Sequence, residues 1–297
     1  MDLYKKDTMV KSFTSSDVLK NGRSYNDRPD QHSDSLQILI LNLMSEKINT
    51  ENQFKRLFKR TQHNVEITFL RTATYEPKNT PKNYLDKNYK IFSEIKNKHF
   101  DGFISTGSAV EKLEFEEVKY WNELLSIFDW VKVKKIPSYF ICWAAQAALN
   151  HRYGIRKIDY PKKQFGVFNH FYNGSNNNLS NYWKNPVQIP VSRYTGVSKE
   201  DIDLCSNLEV ILSSPDTGVS LISDKNSKDF YNLNHFEYDR LTLDREYHRD
   251  KKNGEKISLP ENYYPKNNPD NEPVNCWKTD SINFFNYWLS IIKKKTE

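Results

Sequence analysis

Apolar positions along the first half of the chain fall into short runs of strand length, separated by stretches whose apolar residues recur at helical spacing. Leu36 to Leu43 (LQILILNL) is a continuous apolar run, as expected for a parallel strand buried on both faces. Thr50 follows as an N-cap for a helix through Phe54, Leu57 and Phe58, whose spacing makes an apolar stripe. Val65 to Leu70 alternates as a second strand, and Tyr84 to Ile95 reads as one amphipathic helix. Phe103 to Ser105 is a third short strand ending in Thr106-Gly107, Trp121 to Val133 another helix, and Tyr139 to Ile141 a fourth strand. Strands alternating with helices predict an α/β fold, a parallel sheet with helices on both faces. In such sheets ligands sit outside the carboxyl ends of the strands, where the loops after Leu43, Ser105 and Ile141 converge.

The second half is less regular. Gln164 to Phe168 has strand character and is followed by NHFYNGSNNNLSNYWKNP, an Asn-rich, turn-forming stretch expected to be a surface loop or sheet-edge insertion. Leu208 to Ser213, Val219 to Ser223 and Phe230 to Leu233 are short strands between turn residues. A helix is expected from about Asp239 to Lys252, and a last amphipathic helix over Ile282 to Ile292. The run Lys293 to Lys295 suits the negative end of that helix dipole. Residues 1–34 are polar with no sustained period and read as an arm ahead of a single α/β domain over 35–297.

Composition narrows the classes. The 297 residues allow a sizeable core, and no apolar run reaches the about 18 residues of a membrane span, so a cytoplasmic protein without a membrane partner is expected. A net charge of +6, spread along the chain, is mild for this length and gives no nucleic-acid footprint. Three widely spaced cysteines, Cys142, Cys205 and Cys276, offer neither a disulfide framework nor a CxxC pair, so no metal site is expected.

Cys142 stands where the fourth strand passes into a run of helix formers (ICWAAQAAL), with the small residues Ala144 and Ala145 just after it. Strand, nucleophile, helix is the layout of a nucleophile elbow. The positive end of the helix dipole there favours thiolate, the form that attacks carbonyl carbon. The other reading of Cys142 is a buried core thiol. A cysteine acyl-transfer site needs a base and a group that orients it. Of seven histidines, His235 has the best context: it follows a strand, and Glu237, two residues on in extended chain, lies on its side.

These residues carry a resemblance. LNLM (Leu41 to Met44), LRTATYEPKNTPKNYLD (Leu70 to Asp86), FDGFISTGSAVE (Phe100 to Glu111), FEEVKYW (Phe115 to Trp121), ICWAAQAAL, FGVF (Phe165 to Phe168) and HFEYDRLTL (His235 to Leu243) occur in the same order as in the homoserine O-acyltransferases, the transacetylases and transsuccinylases of methionine biosynthesis. The chain resembles that family from about Leu36 to the last helix. The resemblance implies a flavodoxin-like, class I glutamine amidotransferase-like fold and a ping-pong reaction. Cys142 would carry the acyl group from acetyl-CoA as a thioester, and His235, oriented by Glu237, would deprotonate the hydroxyl of L-homoserine. Backbone N–H groups at Trp143 and in the loop after the first strand would hold the oxyanion, and Lys163, Ser192 and Arg249 would bind the amino acid. Acetyl-CoA would be a co-substrate, with no permanently bound cofactor and no metal, and the protein a homodimer.

Glu111 falls where the family separates its donors, the transsuccinylases carrying glycine. A carboxylate there would repel the carboxylate of succinyl and fill its space, so acetyl is the expected donor. Five residues depart from the family's usual ones, most of them near the expected site: Ala144 for glycine, Asn234 and Phe236 around His235, Tyr194 in SRYT, and Ser45 after LNLM. They leave L-serine open as acceptor, since one methylene is discriminated by only about 1–3 kcal/mol. Homoserine O-succinyltransferase and a glutamine amidase of the same fold are the remaining alternatives.

Overall fold

The computed structural model describes residues 35–174 and 178–296. The N-terminal arm expected over residues 1–34 lies outside these, as does the centre of the Asn-rich stretch. The elements are β1 (Leu36–Leu41), α1 (Lys47–Phe58), β2 (Val65–Leu70), α2 (Lys82–Asn88), α3 (Phe92–Ile95), β3 (Gly102–Ser105), α4 (Trp121–Val133), β4 (Ser138–Ile141), α5 (Trp143–Tyr153), β5 (Lys157–Tyr172), β6 (Val187–Val197), α6 (Lys199–Leu204), β7 (Leu208–Ser214), β8 (Gly218–Asp224), β9 (Phe230–Asn232), α7 (Thr242–Lys252) and α8 (Lys278–Thr296).

One nine-stranded sheet runs in the order β2-β1-β3-β4-β9-β8-β7-β5-β6. Its first five strands are parallel, as the alternation of elements requires. From β8 onward the pairing is antiparallel, because hairpins rather than crossover helices join the later strands. Side chains of the parallel strands alternate between two cores. Leu39, Leu41, Phe103 and Phe140 face α4 and α5, whereas Ile38, Ile40, Ile104, Tyr139 and Ile141 face α1 and α8. That two-sided burial explains the unbroken apolar run of β1.

Several expected elements are corrected. Thr50 does not cap α1; the helix begins at Lys47, and the Thr50 hydroxyl donates to the carbonyl of Glu46 inside the first turn. The stretch from Tyr84 to Ile95 is two short helices, broken where Lys90 bridges to Leu70 at the end of β2. The first of them starts at Lys82, and α7 starts at Thr242 rather than Asp239. The strand expected at Gln164 to Phe168 is the middle of the much longer β5, whose partner β6 the apolar pattern does not announce. Pro190 interrupts the β6 pattern but is tolerated because β6 is an edge strand. The last helix is longer than expected and takes in Lys293 and Lys294 as its final turn.

Candidate active site

The turn after β4 gives Cys142 φ 53° and ψ −119°, a backbone conformation that non-glycine residues rarely adopt. It is held there from both sides. Its N–H donates 2.7 Å to the carbonyl of Asn232 on β9, and its own carbonyl accepts from Ala145 and Gln146 as α5 begins. Trp143 is the first residue of α5, where helix geometry leaves the N–H without an intrahelical acceptor. Ala144 lies inside the helix, so the strain falls on Cys142 and the glycine-to-alanine departure has no backbone cost. A Cβ built on Gly107, in the loop after β3, would sit 3.1 Å from Cys142 Cβ, 3.7 Å from Sγ and 3.7 Å from His235 Cε1. Gly107 thus leaves the room in which the two side chains meet.

His235 follows β9, which pairs parallel with β4, so the strand pair places Cys142 and His235 side by side. His235 Nδ1 donates 2.7 Å to Glu237 Oε1, both side chains being buried. Cys142 Sγ and His235 Cε1 both lie 3.7 Å from the point where a Cβ on Gly107 would stand, so the thiol and the ring face the same space. Burial pulls the imidazolium down, but the charges of Glu237 and then Cys142 outweigh it and hold the His235 pKa well above the usual histidine value. Tyr238 stacks on the ring with centroids 4.0 Å apart and donates 2.6 Å to Glu246 Oε1.

Lys163 (β5), Ser192 (β6) and Arg249 (α7) come together around two carboxylates the sequence reading did not single out, Glu246 and Asp250. Lys163 Nζ lies 2.9 Å from Asp250 Oδ2 and 3.7 Å from Glu246 Oε2. Ser192 Oγ donates to Glu246 Oε2, and Arg249 Nε donates 2.8 Å to Asp250 Oδ1. Glu246 and Asp250 are one helical turn apart, an i,i+4 spacing on the face of α7 that meets β5 and β6; that spacing was the available signal. Glu111 Oε2 accepts 3.1 Å from the N–H of Tyr194, and burial raises its pKa against the opposing pull of that bond and of Lys163.

Lys47, also not singled out, is buried at the start of α1. Its ammonium donates to the carbonyls of Asn42 and Met44, fixing the loop after β1. Burial, then Arg71, brings its pKa down to about 8 against the pull of Glu51. That loop spends its own N–H groups internally: Leu43 donates 2.8 Å to Thr106 Oγ1 and Met44 donates 3.1 Å to Asn42 Oδ1. The N–H groups of Leu43 and Met44 in the loop after the first strand are therefore committed within the protein.

Of the other departures, Asn234 is built into the core: its amide lies 3.1 Å from His170 Nε2, donates 2.7 Å to Ser220 Oγ and accepts 3.2 Å from Arg193 Nε. Phe236 packs between Trp183 and Phe284, away from the histidine. Tyr194 stays beside the polar cluster, its ring 5.8 Å from Lys163 Nζ, and Ser45 lines a cavity together with Glu246 and Arg249.

A model of the family described as homoserine O-succinyltransferase matches residues 16–297. The chain belongs to that family. It is 42% identical over 261 residues to the homoserine O-acetyltransferase of Lactococcus lactis subsp. lactis, covering 88% of this chain and 81% of that one. The homoserine O-acetyltransferase of Geobacillus kaustophilus is 42% identical over 255 residues, covering 86% of this chain and 84% of its own. A glutamine amidotransferase from Thermotoga maritima superposes with a TM-score of 0.57 at 11% identity, over 86% of this chain and 97% of that one. One from Methylobacillus flagellatus gives 0.52 at 13% identity, over 87% and 92%. At these identities the likeness shows the fold alone, which is the class I glutamine amidotransferase-like fold. Among the described residues no helix of this family member is long and apolar enough to cross a membrane, and no group of three or more His, Cys, Asp or Glu is placed to hold a metal.

Proposed function

We propose that this chain is a homoserine O-acetyltransferase that carries acetyl from acetyl-CoA on Cys142, within one domain over residues 35–297. The observation that carries the reading is the buried alignment of Cys142, His235 and Glu237 on a strained elbow at the carboxyl edge of the sheet. The Cys142 thiolate attacks the thioester carbonyl of the donor. The tetrahedral oxyanion rests on the N–H of Trp143, a donor of a kind worth about 3 kcal/mol. The carbon–sulfur bond to CoA then breaks, and His235 returns a proton to the departing thiolate.

In the second half His235 takes the proton of the acceptor hydroxyl, whose oxygen attacks the thioester and releases Cys142. Glu237 holds the ring in position and stabilises the imidazolium. Arg249 and Lys163, pre-aimed by Asp250, supply cations for the α-carboxylate, and Ser192 with Glu246 supplies acceptors for the ammonium. The relatives named homoserine O-acetyltransferase support homoserine as acceptor. Glu111 supports acetyl as donor, since its buried oxygen already occupies space beside Tyr194 and Lys163 and tolerates no second carboxylate.

The test pairs acetyl-CoA or succinyl-CoA with L-homoserine or L-serine and compares kcat/KM, with Cys142→Ala alongside. Acetyl-CoA with homoserine should be turned over fastest, and Cys142→Ala should be inactive. Faster use of succinyl-CoA would overturn the role of Glu111, and activity in Cys142→Ala would overturn the thioester. Release of ammonia from glutamine without consumption of acetyl-CoA would favour an amidase instead.

A further inference from the structure

Two cavities meet at the loop after β1, sharing Met44 and Ser45 in their walls. The smaller, about 250 Å³, is lined by Tyr238, Glu246 and Arg249. Tyr238 stacks on His235, so this cavity is separated from the imidazole by one ring, and Glu246 and Arg249 in its wall offer a carboxylate and a guanidinium to a free amino acid. The larger, about 440 Å³, is lined by Leu43, Tyr75, Lys78, Ser108, Lys119 and Tyr120 among others. Ser108, in its wall, directly follows Gly107, where a built Cβ would stand 3.1 Å from Cys142 Cβ, so the cavity reaches to within one residue of the loop that packs on Cys142.

We propose that the larger cavity takes the acyl-CoA donor, its pantetheine arm running past Ser108 to Cys142 and its phosphates meeting Lys78 and Lys119 at the mouth. The inference rests on the acetyltransferase reading above and adds to it the place and the contacts of the donor.

Three observations carry it. The volume falls within the range of about 300–1,000 Å³ usual for small-molecule sites, and is larger than a free amino acid needs. The interior suits a chain that alternates methylenes and amides: Leu43, Val110, Val118 and Tyr75 are apolar wall, while Ser108 Oγ and Tyr120 Oη, 2.7 Å apart, form a hydroxyl pair within it. The lining charge is cationic, three lysines against the single carboxylate Glu117. Of these, Lys47 is occupied with the loop carbonyls, but Lys78 and Lys119 are exposed and form no ion pair with any carboxylate among the described residues. Two unpaired lysines at the mouth of an apolar cavity fit a ligand with a phosphorylated head and an uncharged arm.

The experiment uses the full chain and the variants Lys78→Glu, Lys119→Glu and their combination. Each is assayed with acetyl-CoA and with S-acetylpantetheine, which keeps the arm and lacks the nucleotide phosphates. Each single charge reversal should raise KM for acetyl-CoA by about tenfold, and the combination by more, with kcat and the KM for homoserine unchanged. KM for S-acetylpantetheine should not move. A KM for acetyl-CoA that stays at the wild-type value, or an equal rise for both donors, overturns the site, as does a rise in KM for homoserine alone. Calorimetric binding of desulfo-CoA to wild type and variants reads the same contacts without turnover. Weaker binding to the variants of a protein that transfers no acetyl would uphold the cavity and reject the acetyltransferase reading, so the two failures remain distinct.

Discussion

At the residue scale, Glu237 and Cys142 each put a price on the geometry that holds them. His235 is deprotonated only above its raised pKa, so activity that needs the neutral ring climbs with pH through a limb lying above the usual histidine value of 6.5. Burial alone would lower that pKa, and Glu237 is the largest of the groups opposing it. Glu237→Gln should therefore move the acid limb of kcat/KM to lower pH, and lose about 10²–10⁴-fold in kcat as the ring loses its orienting partner. A pH profile whose acid limb stays in place would show that Glu237 does not set the base. The strain at Cys142 has its own signature. Glycine relieves a positive φ that alanine keeps, so Cys142→Gly should unfold at higher denaturant than Cys142→Ala, by about 1 kcal/mol after the entropy of glycine is set against the strain. Equal midpoints would mean that the elbow stores no strain.

At the element scale, β5 and β6 extend the sheet and bring Lys163 and Ser192 to α7. Gly166, at φ 152°, is where the strand crosses the segment that carries Glu261. A Cβ there would stand 2.3 Å from the carbonyl oxygen of Glu261, and Val167 N–H donates 2.8 Å to that same oxygen. Gly166→Ala should cost about 1–3 kcal/mol in stability and raise KM for the amino acid more than for the acyl donor, because Lys163 rides on the displaced strand. Urea denaturation together with both KM values tests it; a variant with wild-type stability would place the close approach in doubt.

The elements the sequence conceals are those that obey tertiary rather than local rules. The β1, β2 and α4 runs carry their own period, and the structure reproduces them within a residue or two. In β6 the pattern is broken by Pro190 and Gly196, which only the edge position and the packing of Arg193 make acceptable. Helix α6 does carry a local sign, Ser198 Oγ accepting 3.1 Å from Asp201 N–H as its cap, but it has only one buried residue and so no apolar stripe. The break at Tyr89 and Lys90 answers to pairing with β2, which no spacing within residues 84–95 reveals.

At the scale of the whole molecule the same division holds for the site. Cys142, His235 and Glu237 were legible because each sits beside a local landmark, a strand end or a same-side spacing. Glu246, Asp250 and Lys47 were not, because their meaning comes from partners on other elements: Tyr238 and Ser192 for the first, Lys163 and Arg249 for the second, and the β1 loop for the third. Gly107 is a similar case, an ordinary loop glycine until the loop is set against Cys142.

The pairing of β9 with β4 also bears on how the molecule matures. Cys142 N–H is anchored by Asn232, so Cys142 acquires its final conformation only when β9 is seated. Yet β9 is reached through the antiparallel run from β7 to β8, long after α4 and α5 have been synthesised and can pack around Trp121 and Trp143. Contacts so distant along the chain close late. On refolding from denaturant, tryptophan fluorescence should recover before the Cys142–His235 pair becomes reactive toward an acyl donor, whereas coincident recovery would mean that the sheet closes in one step. A chain that stops short of β9 lacks the Asn232 carbonyl, and the turn at Cys142 is then held from the α5 side alone.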